Sequence, residues 1–142
     1  MSHTRAISRS LGLLAAFTLI GSLAACNDSP CADSYVLAKV KELYEKQQFG
    51  QFIEAPPSIF AVQAKSATQV SADTDSTKRR CSVIITADLI EMMHFTKQYD
   101  EAGIAKIKEE APKRGLPLTN DILVNFTVQP LANGQNYVMV LP

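Results

Sequence analysis

The sequence predicts an α+β fold, with an N-terminal helix packed on a four-stranded antiparallel sheet and a helical insertion between strands 2 and 3. Three observations predict it. Apolar residues recur at helical spacing near the start of the folded part. Later segments alternate apolar and polar side chains with a period of two, as half-buried strands do. Clusters of Gly, Pro, Asn and Ser punctuate the two kinds of segment.

The helix is expected from Ala32 or Asp33 to about Gln48, with Asp33 or Ser34 as its cap and Gly50 as its stop. Val36, Leu37, Val40, Leu43 and Tyr44 fall on one face, while Lys39, Lys41, Glu42, Glu45 and Lys46 cover the other. Glu42 and Lys46 stand at the favourable i,i+4 spacing. Pro56 and Pro57 fix a connector into the first strand, residues 59–70. There Phe60, Val62 and Ala64 share one face and Gln63, Lys65 and Gln69 the other. Residues 71–77 (SADTDST) are small and polar and suit a hairpin tip. The second strand follows over residues 79–89, with Cys81, Val83, Ile85, Ala87 and Leu89 facing inward.

Residues 91–99 fit either an extension of that strand or a helix, and the pattern does not separate the two. Residues 100–111 read as helix, with Ile104 and Ile107 as its apolar share, Gly103 weakening it, and Pro112, Gly115 and Pro117 ending it. Residues 120–128 return to strand, with Ile122, Val124, Phe126 and Val128 on one face. Asn133-Gly134 is a tight-turn signal, and residues 137–141 form the closing strand. In element order this arrangement is loosely similar to cystatin-like and NTF2-like domains, a resemblance of architecture without a signature motif. Such folds host unrelated functions.

The N-terminus has a different character. Residues 1–10 hold Arg5 and Arg9 and no acid, and residues 11–20 (LGLLAAFTLI) are uncharged, mainly apolar and too short to span a bilayer as a helix. Gly21 and Ser22 break the run before Leu23-Ala24-Ala25-Cys26. That tetrapeptide, after such a segment, resembles the lipobox of bacterial lipoproteins. The resemblance implies a signal peptide over residues 1–25, diacylglycerol on the Cys26 sulfur and an acylated new amine. Residues 26–31 then form a lipid-anchored linker and residues 32–142 a single periplasmic domain. One acyl chain gives only marginal membrane binding, whereas two or three make release negligible. Asn27 stands where aspartate marks inner-membrane retention in some enteric bacteria, which favours the outer membrane.

With Cys26 set aside for lipid, Cys31 and Cys81 remain as an even pair in an oxidising compartment, and a disulfide is expected in preference to two buried thiols. The signal takes Arg5 and Arg9 with it, so 14 basic side chains become 12 against 14 acidic ones and the net charge falls to −2. That balance excludes the broad basic footprint of a nucleic-acid binder.

Candidate chemistry is sparse. His94, in Met92-Met93-His94-Phe95, is the histidine left after removal of the signal, and no second His or free Cys pair supplies metal partners. No metal or cofactor is expected. His94 has no nucleophile motif beside it and an enzyme is not expected; a deep cleft lined by Asp88, Glu91 and His94 is the arrangement that would argue for one. Lys78, Arg79 and Arg80 flank the second strand, either as a partner contact or as a solvated edge that discourages unwanted pairing. Glu109 and Glu110 beside Lys106 and Lys108 read as a solvated helix face. Asp73 and Asp75 lack the further ligands and the glycine of a calcium loop. Asn125-Phe126-Thr127 matches a glycosylation sequon inside a strand. Tyr35, Tyr99 and Tyr137, where exposed, suit a protein interface. The expected function is protein binding at a membrane surface, as an inhibitor, an immunity protein or an accessory of envelope or secretion assembly. The alternative is a small-ligand or lipid carrier with a pocket between helix and sheet.

Overall fold

The computed structural model describes residues 29–72 and 77–142. The chain enters through a short 3-10 turn, Pro30–Ala32, whose start is capped by the Ser29 hydroxyl accepting from the Cys31 N–H. Helix α1, Ser34–Phe49, begins one residue later because the Asp33 carboxylate accepts from the Val36 N–H at 3.0 Å. It ends at Gly50, whose φ of 102° admits a residue without Cβ and whose N–H closes on the Lys46 carbonyl. Val36, Leu37, Val40 and Tyr44 are buried on its inner face. On its outer face Glu42 bridges Lys39 and Lys46, and Lys41 pairs with Glu45.

Strands β1 (Phe60–Ala72), β2 (Arg79–Asp88), β3 (Thr119–Pro130) and β4 (Asn136–Val140) form one antiparallel meander in the order β1-β2-β3-β4. The β2/β3 ladder is regular and sets Cys81 against Phe126, Val83 against Val124 and Ile85 against Ile122. These alternate residues and their neighbours Phe60, Val128, Val138 and Val140 make the sheet's share of the core beneath α1. The β1/β2 ladder is irregular. Gln63 pairs with Ile84 but Thr68 with Ser82, so β1 takes extra residues over that span, and it does so again at Val70. The break corrects the alternation expected for β1, since Ala64 is exposed and Ala67 is the buried residue. The Ser66 hydroxyl repairs it locally, accepting from the Ile84 N–H at 2.8 Å and donating to the Gln63 carbonyl. Between β3 and β4 the chain turns through Asn133-Gly134, with Gly134 at φ 79° and the Asn133 side chain accepting from the Gln135 N–H.

Of residues 91–99, residues 91–96 resolve as helix and 97–99 as the loop that leaves it. Asp88 ends β2 and turns its carboxylate onto the N–H groups of Ile90 and Glu91, which starts α2, Leu89–Thr96. Leu89 is therefore the first residue of a helix and not the last inward residue of a strand. Helix α3, Glu101–Lys113, is capped in the same way by Asp100 accepting from the Gly103 N–H. A Cβ at Gly103 would lie 3.0 Å from the Asp100 Oδ1, so the glycine that weakens the helix also makes room for its cap. The helix passes through Pro112 before Gly115, two residues beyond the expected end. Met92 and Phe95 of α2 reach the core, while α3 buries Ile104 and Ala111. Phe95 stacks edge-on to Phe49, which contacts Phe60, which in turn meets Tyr44 edge-on at 5.2 Å. That aromatic chain ties α1 and α2 to β1.

Candidate functional site

The sites expected from sequence are scattered over the fold. Cys26 and the signal, with Asp73 and Asp75, lie outside the described residues. Cys31 and Cys81 are joined in a disulfide with Cα atoms 5.7 Å apart, both fully buried. The bond fastens the entry turn to β2. Lys78, Arg79 and Arg80 stand at the sheet end where β2 begins, Arg80 exposed and the other two half-buried. Ser71, Lys78, Arg80 and Thr127 enclose a cavity of only about 40 Å³ there. The sequon is woven into β3, with Phe126 fully buried and Thr127 nearly so.

Asp88, Glu91 and His94 are occupied separately. Asp88 caps α2, Glu91 accepts from the Ser58 hydroxyl at 2.9 Å, and His94 Nδ1 lies 3.3 Å from the Glu101 carboxylate on α3. Among the described residues no three His, Cys, Asp or Glu side chains gather where a metal ion would sit. Among them too, no helix is long and apolar enough to cross a membrane.

What the strands do bring together is a surface. The sheet face opposite α1 presents Ile84, Leu123, Tyr137 and Met139, and Leu123 is 63% exposed. At one end of this face Gln63 donates to Thr86 and to Asp121, and Thr86 donates to the same Asp121 oxygen at 2.6 Å, locking β1, β2 and β3 side by side. At the other end lies β4, one of the two outer strands of the meander. Leu141 donates to the Asn125 carbonyl and Leu131 to that of Gln135. The alternation of an antiparallel ladder then turns the main chain of Tyr137 and Met139 toward β3 and that of Val138 and Val140 outward. Between this edge and the C-terminal half of α1 runs an open groove of about 360 Å³, walled by Leu43, Lys46, Gln47 and Gln51 on one side and 137–140 on the other. Phe52, fully exposed, and Ile53 follow Gln51 in the adjoining loop.

Comparison with protein-family models, curated proteins and solved structures returns no match. The site is therefore read from its own chemistry.

Sequence reasoning found Tyr35, Tyr99 and Tyr137 as candidate contacts, and all three are exposed. It missed the groove. One signal for it was present: the closing strand is the last of a meander, hence an edge, and its residues Asn136–Val140 include no charge. The other wall, from α1, depends on how helix and sheet cross, which no local pattern encodes.

Proposed function

We propose that this chain is a lipoprotein held by lipid on Cys26 at the bacterial outer membrane, facing the periplasm, and that its domain works by binding another protein. The anchor rests on the Leu23-Ala24-Ala25-Cys26 motif and the charged and apolar segments before it. The single observation that supports binding is the surface just described, an open sheet face with exposed Leu123, Tyr137 and Met139 running to a strand edge beside a groove. Exposed aromatic and methionine side chains grouped around a concave feature are what protein interfaces select. The space between α1 and the sheet, where a carrier would hold cargo, is filled by Val36, Val40, Phe60, Val83 and Phe126. Basic residues 78–80 border the same open sheet face, because Arg80 pairs with Thr127 and Thr127 with Met139.

Affinity capture with the tethered protein from envelope extracts tests the reading. Recovery of the same protein partner from independent extracts is the expected result. Repeated capture of no protein contradicts it.

A further inference from the structure

We infer that β4 is a docking edge that accepts an extended, uncharged peptide segment of the partner as a fifth strand, with an apolar side chain of that segment seated between α1 and β4. The inference rests on the protein-binding reading and specifies its mode.

The two edges of the sheet differ in kind. The ladder joining β1 to β2 is broken twice, and β1 bears Lys65; bulges and lysines are the devices that keep an edge from pairing with a stranger. β4 has neither. Its register with β3 is unbroken over all five residues, it has no charge, and prolines stand only outside it, at 130 and 142. Val138 and Val140 bury their side chains while their N–H and C=O groups face outward. An added strand would meet both donors and both acceptors in one plane.

Its alternate side chains would enter the groove under Leu43 and Gln47. The cation on that wall, Lys46, is already paired with Glu42, so the walls match a neutral segment and not an acidic one. Size favours a segment over a second folded copy. A stable pair of folded surfaces buries about 1,200 Å² or more. A five-residue edge and a groove of about 360 Å³ match one strand and one or two side chains.

The test uses the full chain in detergent micelles and a capped hexapeptide alternating threonine and valine. Amide hydrogen exchange at Val138 and Val140 should slow about tenfold on adding peptide, as newly made main-chain hydrogen bonds predict. The same peptide N-methylated at the residues facing β4 should give no slowing. Met139→Lys, an exposed position that leaves the core untouched, should weaken peptide binding about tenfold by placing a charge on the edge. Unchanged exchange at both valines, or equal binding of the N-methylated peptide, overturns the proposal. So does a chain that sediments as a dimer when wild type and as a monomer as Met139→Lys, because the occupant is then a second copy. Envelope capture with the Met139→Lys bait separates this inference from the reading beneath it. Loss of the partner supports strand addition, and an undiminished partner overturns the edge while leaving protein binding in place. No partner with either bait removes both.

Discussion

Ser66 sits where β1 and β2 fall out of step, and its hydroxyl takes an Ile84 N–H that the broken ladder would otherwise leave without a partner. Ser66→Ala is expected to cost about 1–2 kcal/mol, read from the shift of a urea unfolding midpoint at unchanged slope. Two titrations act at the same scale. Hydrogen bonds from Lys39 and then from Lys46 hold the Glu42 carboxyl below the ordinary value of 4.5. Its contribution is thus present above pH 4.5 and fades as pH falls through the lower folded value. The pair is half-exposed, so the effect is small and screened by salt. Burial raises the Tyr44 phenol above 10.0, which favours the neutral form in the folded chain. Stability linked to Tyr44 is full below pH 10 and is lost as pH rises beyond it. Tyr44→Phe should remove that alkaline step in a thermal melt series run from pH 9 upward.

At the scale of elements, much was legible because local chemistry decides it. Asp33 and Gly50 bound α1, Asn133-Gly134 turns β3 into β4, and strict alternation marks the buried faces of β2 and β3. Asp33→Ala should lower stability by about 1 kcal/mol through loss of the cap. The alternation of β1 holds at Phe60 and fails at Ala64, since a bulge changes which face a residue occupies without altering its local composition. Residues 91–99 were ambiguous for a related reason. Ile90, Met92, Met93 and Phe95 suit either period, and Asp88 decides between them by capping. Phe60 joins α1 to the sheet through two ring contacts and is 1% exposed. Phe60→Ala should therefore cost about 3–5 kcal/mol in chemical denaturation, the range for a large aromatic removed from a closed core.

For the molecule as a whole, the disulfide and the β4 edge lie at one level of the sheet, since Cys81 pairs with Phe126 and Phe126 with Val140. Cys31 and Cys81 enclose 50 residues of sequence separation, and the chain-entropy model assigns such a closure roughly 4 kcal/mol. Reduction, or Cys31→Ser with Cys81→Ser, should lower the unfolding midpoint strongly while leaving the sheet pattern in circular dichroism. The same bond fastens the first described turn, a few residues after Cys26, to β2, so pull from the proposed anchor reaches the sheet directly. The pairing was legible from cysteine count once Cys26 was assigned to lipid. The groove at β4 was not, because residues 43–51 and 137–140 meet only after the whole meander has formed.

The central claim is that this domain is tethered through Cys26, and the intact mass of the protein extracted from membranes tests it most directly. The expected species is a chain that begins at Cys26, is heavier by a diacylglyceryl group and an amine-linked acyl chain, and is lighter by two hydrogens for the Cys31–Cys81 bond. A mass that retains Met1, or a cleaved chain with an unmodified Cys26, would contradict it.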